Sequence, residues 1–300
     1  MIALAIRLLM ALVVAVSSLF SYCGSKEYNP VTGEKQYIGL TARQEISLGL
    51  QAADEMIQQH GGLHPDGALQ RRIDEVGNKV ARNSEAAETP WKFEFHLLRD
   101  PETVNAFALP GGQIFVTAGL YDQFTSEDQL AAVLGHEIAH VVARHSAQRL
   151  AKAELTRGLT GAVMVASGDA TAAQITAVIG ELVHMKYGRD DELESDRLGV
   201  FFMADAGYDP QGMIALMRIL QESRDGAAMP EFFSTHPNPG NRIEKIREAI
   251  GEIPRRRSGV YRFLPLTNPT KSPTTSFIRP AWSLMASAAD EAASEWAALR

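Results

Sequence analysis

Two hydrophobic periods alternate along this chain, and an unbroken apolar run opens it. Leu8–Phe20 consists of Leu, Met, Ala, Val, Ser and Phe, with Arg7 before it and the polar stretch Ser21–Asn29 after it. That run is short for a transmembrane helix and reads as the apolar centre of an export signal. Tyr28–Leu40 carries Asn-Pro and Thr-Gly turn signals and reads as an exposed lead-in. Thr41 with Gln44 makes a capping box, after which Ile46, Leu50, Ala53 and Ile57 recur at helical spacing. Leu69, Ile73, Val76 and Val80 mark a second helix. Trp91–Leu97 alternates apolar and polar residues and predicts a half-buried strand. Val104–Leu109 and Gln113–Thr117 predict two more strands around the turn Pro110-Gly111-Gly112.

Ser126–Leu150 reads as one long helix, with Ser126 and Gln129 as its capping box and Glu127 and Asp128 at the positive end of its dipole. Gly158–Val183 is rich in Gly, Ala and Val, and Gly168-Asp169 interrupts it; it reads either as a helical hairpin in the core or as a mobile flap. Glu192–Ala206 is helical. Asp209 caps a further helix, with Pro210 at its first position. Ile243, Ile246 and Ile250 mark a last core helix ending at Gly251. The pattern is α+β, mainly α-helical, with a small sheet beside the long helix. The expected organisation is a signal peptide over 1–22, an exposed linker over 23–40, one domain over 41–251 and a tail over 252–300. No fixed-period repeat is present, which argues against a solenoid.

Composition narrows the function. Of 300 residues, 45% are hydrophobic and 22% charged, as in globular domains. Lys plus Arg number 29 against 36 Asp plus Glu, a net charge of -7, so no nucleic-acid partner is expected. The single cysteine excludes an internal disulfide framework and every multi-cysteine zinc site. Any metal must be held by His, Asp and Glu. That cysteine, Cys23, sits just past the apolar run, where a bacterial lipoprotein signal ends, although Tyr22 stands where a small residue is usual. Three readings stay open: a lipid anchor at Cys23, simple cleaved export, and a retained anchor. Each puts the mature chain outside the cytoplasm.

The segment His136-Glu137-Ile138-Ala139-His140 carries the chemistry. Four residues are slightly more than one helical turn, so both imidazoles project from one face and can bind one zinc ion. Glu137 is one step round the helix, near enough to take a proton from water at the metal without being a ligand. Apolar neighbours from Leu130 to Val142 imply that the pair is buried, and buried polar groups need partners. On a continued helix His145 is half a turn out of phase with His136 and is expected to face away. His60, His64 and His96 have no spacing partner and are read as surface or core-edge residues.

A catalytic zinc needs a third protein ligand and an open fourth position. Glu192 and Asp196 lie four apart on one helix face. Glu192 is the candidate ligand, and Asp196 the candidate acceptor for the distal N–H of a ligating histidine. The alternative is a solvated acidic helix start, since Asp190 and Asp191 are adjacent. Glu194 is rotated about 200° from Glu192 and is expected at the surface.

Five separated pieces resemble a known family in its own order. They are Asn29–Gly33 after Cys23, Asn105–Gly112, His136–His140, Glu192 with Asp196, and Ser234-Thr235-His236-Pro237 followed by Arg242-Ile243. The chain resembles the zinc metallopeptidase family of the CAAX prenyl protease and the heat-shock protease HtpX, and within it the exported BepA-like and LoiP-like branch. The resemblance spans roughly residues 28 to 250. It implies a gluzincin-type fold, with His136, His140 and Glu192 holding one zinc ion per chain and Glu137 as catalytic base. It also implies that His236 lies near the metal, as a catalytic residue or as a plug of the open position. The strand at Asn105, Ala106 and Phe107 either pairs with substrate backbone or is an ordinary sheet member. Two functions follow as expectations. One is an envelope endopeptidase, anchored to the outer membrane through a lipid at Cys23, that cleaves unfolded or misassembled proteins; the other is a largely latent, zinc-bound, chaperone-like assembly factor at that membrane.

Overall fold

A helix buried on all sides must be covered on all sides, and the fold is arranged around one such helix. The computed structural model describes residues 2–167, 187–224, 231–237 and 240–257. These belong to the compact unit Met1–Pro265, and Leu266–Arg300 lies outside them. In chain order the elements are α1 (Ile2–Gly24), β1 (Lys26–Tyr28), β2 (Lys35–Tyr37), α2 (Ala42–Gln59), α3 (Gly67–Arg82), β3 (Glu94–Leu98), β4 (Ala106–Ala108), β5 (Gln113–Thr117) and the short α4 (Ala118–Tyr121). They continue with α5 (Glu127–Val142), α6 (His145–Ser167), α7 (Arg189–Asp205), α8 (Gln211–Arg224), the one-turn α9 (Phe232–Thr235) and α10 (Arg242–Arg257). The chain is thus mainly helical with small sheets, as its pattern predicts.

From Gln129 to Val142 every residue of α5 is buried. Helices α3, α7 and α8 pack around it. The three-stranded sheet has the order β3-β5-β4, with β3 parallel and β4 antiparallel to the central β5. One face sends Phe95, Leu97, Ile114, Val116, Ala106 and Ala108 into the main core, and the other packs Leu98 and Phe115 on Ala52, Ala53 and Met56 of α2. Thr41 and Gln44 form the expected box at the start of α2. Gly111 and Gly112 make the turn between β4 and β5 at φ 84° and 115°, where a side chain would be strained.

Helices α5 and α7 cross where two glycines meet. A Cβ on Gly199 would stand 3.0 Å from the His136 amide nitrogen, and one on Gly135 would stand 3.2 Å from the Gly199 carbonyl oxygen. This close approach brings Glu192 and Asp196, about two turns and one turn earlier on α7, within reach of the His136 ring.

Four expectations change. The predicted helix from Ser126 to Leu150 is broken: Arg144 has φ 57°, which ends α5 and re-aims the chain into α6. The last helix runs past Gly251 to Arg257 with Pro254 inside it. The opening apolar run lies within a 23-residue helix, so it is not too short to span; Leu4–Gly24 meets the length and hydropathy of a membrane-crossing helix, as signal sequences also do. Helix α1 packs along α6. Of the Gly158–Val183 segment, the part up to Ser167 is helical, and 168–186 lies outside the described residues, as does the tail from 258.

The lead-in over 28–40 is not simply exposed either. Asn29, Val31, Thr32, Gln36 and Ile38 are buried, because this segment closes the end of α5. Asn29 Nδ2 donates to the Val142 carbonyl and Gln36 Nε2 to the Ala143 carbonyl, each at 2.8 Å. Those carbonyls belong to the last turn of the helix and its cap, which have no partner within the helix itself. Arg144 is fixed by the same region: its guanidinium donates to Glu45 (2.9 Å), the Leu40 carbonyl (2.8 Å) and Glu27 (2.7 Å). Replacing Asn29 with Ala leaves a buried carbonyl unsatisfied and should destabilise the chain by about 1–3 kcal/mol. Chemical denaturation of Asn29→Ala and Gln36→Ala measures this; a loss near zero in both would mean that the lead-in does not support α5.

Candidate metal centre

His136 and His140 leave α5 one turn apart, and their Nε2 atoms come within 3.0 Å of each other. Glu192, from the first turn of α7, sets Oε2 3.6 Å from His136 Nε2 and Oε1 3.5 Å from His140 Nε2. His236, just after α9, places Nδ1 3.1 Å from Glu192 Oε1 and 3.4 Å from His136 Nε2. All four residues are buried, and their ligand atoms lie within 4.8 Å of one another. A tetrahedral ion with bonds of about 2.0–2.1 Å separates its ligands by about 3.4 Å. The cluster has those separations. Lone pairs of two imidazoles and a carboxylate facing one another without a cation would repel, so the donor set fits a divalent metal.

The supporting contacts follow from charge. Asp196 Oδ1 lies 3.0 Å from His136 Nδ1, the nitrogen away from the cluster. Arg242, fully buried at the start of α10, donates to both Asp196 oxygens at 2.7 Å and approaches Glu192 Oε2 at 3.1 Å. Burial opposes ionisation of Glu192 and Asp196. Arg242 outweighs it for Asp196, and His236 with Arg242 for Glu192, so both carboxyls are held below the usual range. Burial also disfavours a charged His136, yet Asp196 and Glu192 push it up to about 9. Burial holds His140 well below the usual histidine value. The site therefore attracts positive charge at His136 while leaving His140 a neutral donor.

Glu137 points into the same space. Both of its oxygens are buried without a hydrogen-bond partner among the described residues, and His236 Nε2 is 3.6 Å from Oε1. Burial raises its pKa above the ordinary carboxylate value, which makes it a stronger base. Aromatic rings wall the cluster: Tyr187 stacks on His140 at 3.8 Å between centroids, and Phe232 on His236 at 4.3 Å. The Tyr187 amide donates to the Thr235 carbonyl at 2.9 Å, tying the two walls together.

The substrate-strand candidates lie beside this cluster. Ala106 and Phe107 are in β4, whose one partner among the described strands is β5. Asn105 and Ala106 are buried and Phe107 half-buried, so the strand offers backbone rather than side chains. A cleft lined by His60, Phe107, Leu109, Tyr187 and Thr235 runs along it. Of the other histidines, His60 pairs with Asp100 and His96 with Gln113, both away from the cluster.

His145 corrects the helix-phase expectation. The turn at Arg144 swings it back, so that its Nδ1 lies 2.9 Å from His140 Nδ1 and its Nε2 2.9 Å from Glu194. Glu194 is accordingly no free surface carboxylate. The sequence does not single out Tyr187 and Phe232 as site residues, and it shows no role for Arg242. Arg242 was legible only as part of a motif; the signal for its role was the surplus of carboxylates, since three buried acids require a cation. Arg242→Met leaves Asp196 and Glu192 without their counter-charge and should cost about 3–5 kcal/mol of stability. Arg242→Lys keeps the charge but not the two-pronged contact and should recover part of that. Thermal unfolding of the two variants is the check, and equal stability of Met and wild type would contradict the ion-pair account.

The profile of Peptidase family M48 matches residues 68–250, the region from α3 to α10. Mitochondrial metalloendopeptidase OMA1 of Schizosaccharomyces pombe is 32% identical over 252 residues, covering 78% of this chain and 70% of its own. The Saccharomyces cerevisiae protein of the same name is 30% identical over 257 residues, covering 80% and 73%. The beta-barrel assembly-enhancing protease of Escherichia coli is 29% identical over 232 residues, covering 72% of this chain and 47% of its own, so the chain spans about half the length of that relative. With a profile across most of the folded part and relatives named as metalloendopeptidases, the chain belongs to peptidase family M48 and is a metalloendopeptidase.

Proposed function

We propose that the metal is zinc, one ion per chain, held by His136, His140 and Glu192, and that the enzyme cleaves unfolded or misassembled polypeptides of the cell envelope. The observation that carries this reading is the buried donor set within 4.8 Å, with the Glu137 carboxylate beside it and without a hydrogen-bond partner among the described residues. A bound zinc ion supplies Lewis acidity, acidifying water and polarising a peptide carbonyl. Glu137 then takes the water proton and returns it to the departing amine. Burial suits it to both steps, because a raised pKa lets it hold the proton in between. The edge of β4 that faces no described strand aligns an extended substrate by backbone hydrogen bonds, which selects for unfolded chain rather than for sequence. Asp196 holds the His136 ring, and Arg242 keeps Asp196 ionised.

His236 supports a second reading. With it the ligand set has four protein groups, and a closed set is the mark of a metal site that does not turn over. On that reading the arrangement is a latent one, from which His236 must withdraw to admit substrate. In the alternative function the chain stays latent and acts as a chaperone-like assembly factor at the outer membrane. Glu137→Gln should retain zinc and lose casein hydrolysis; wild-type cleavage by that variant would remove Glu137 from the mechanism. His236→Ala should raise hydrolysis several-fold if the histidine is a plug, whereas a fall would make it a catalytic residue instead.

For location we propose export and attachment to the outer membrane through a lipid at Cys23. The exposed sole cysteine at the end of an apolar helix supports it. The length of that helix and its packing on α6 favour a retained helical anchor as the competing reading; two of the relatives are mitochondrial by name. Cys23→Ala should release the protein from the membrane fraction. Retention of the variant there would favour the helical anchor.

A further inference from the structure

The back of His140 is wired differently from that of His136. His136 Nδ1 meets a carboxylate directly, at 3.0 Å from Asp196. His140 Nδ1 meets a second imidazole, His145 Nδ1, at 2.9 Å, and the far side of that ring meets Glu194 Oε2 at 2.9 Å. Two imidazole nitrogens at hydrogen-bonding distance need one proton between them. If His140 presents its Nε2 lone pair to a cation, its proton is on Nδ1. His145 must then accept through Nδ1 and carry its own proton on Nε2, where the Glu194 carboxylate lies. One assignment satisfies every contact, and it runs in one direction from carboxylate to metal face.

We propose that His145 and Glu194 are positioning residues that fix the tautomer and ring orientation of His140 and raise its strength as a ligand, as Asp196 does for His136. This rests on the metal reading of the cluster. The fold invests in the arrangement. Arg144 adopts a left-handed conformation, uncommon for a residue with a side chain, and its fork is held by Glu45, Glu27 and the Leu40 carbonyl. That turn returns His145 to His140. His145 is buried, Ser195 Oγ lies 3.3 Å from its Nδ1, and its ring meets His140 at 72° with centroids 5.0 Å apart. Helix α7 thereby serves both histidines: Glu192 faces the metal, Asp196 backs His136, and Glu194, on the other side, backs His140 through His145.

Zinc affinity of the full-length chain, measured by competition with a chelator of known affinity, tests the proposal, alongside thermal unfolding of the metal-free chain. Glu194→Ala and His145→Phe should each weaken zinc about 10- to 100-fold. Glu194→Gln, which keeps an acceptor oxygen for the His145 N–H and nearly the same shape, should recover part of the loss. The double variant His145→Phe/Glu194→Ala should bind no worse than His145→Phe alone, because the carboxylate acts only through the ring. Wild-type affinity in Glu194→Ala and His145→Phe would overturn the proposal, as would multiplying effects in the double variant, or affinity losses that merely track lost metal-free stability. If His140→Ala itself binds zinc as tightly as wild type, the metal reading fails and the proposal falls with it.

Discussion

Glu137, Glu192 and Asp196 are buried within one small volume, and the cost of taking three carboxylates out of water governs what surrounds them. A buried charge without a partner costs several kcal/mol. Arg242 answers for two of the three, with both Asp196 oxygens at 2.7 Å and Glu192 at 3.1 Å. Glu137 has no hydrogen-bond partner among the described residues. Among the described residues one fixed cation faces three acids, which leaves a site that still attracts positive charge, and the imidazoles at its centre offer lone pairs. The proposed metal site and the proposed base beside it would be two results of the same imbalance.

That imbalance is tolerable only in a rigid frame. The frame is two helices crossing at Gly135 and Gly199, where neither can carry a side chain without displacing the other. Around them, the segment before α2 does more than link. It satisfies the open carbonyls at the end of α5 and holds Arg144 in the turn that separates α5 from α6. The chain just after the apolar opening helix therefore braces the end of the helix that bears both histidines.

Much of this is legible in the sequence where a local rule suffices. The i, i+4 spacing of His136 and His140, the capping box at Thr41, and the shared face of Glu192 and Asp196 depend on helix geometry alone. What local rules miss is tertiary. Helix phase sends His145 away from the pair because nothing in the sequence announces a left-handed Arg144; Glu27, Leu40 and Glu45, remote in sequence, hold it there. Turn signals make residues 28–40 look exposed because their buried partners are carbonyls of another element. Hydrophobic counting stops the opening run at Phe20, whereas the helix continues through Ser21 and Tyr22 to Gly24.

The central proposal is a single zinc ion held by nitrogen and oxygen ligands of this cluster. X-ray absorption of the zinc-loaded, full-length chain measures that shell directly. The predicted spectrum has one environment of nitrogen and oxygen at about 2.0–2.1 Å, with the outer-shell scattering of at least two imidazoles. A sulfur ligand at about 2.3 Å, which only Cys23 or a methionine could supply, or a shell without imidazole, would contradict it.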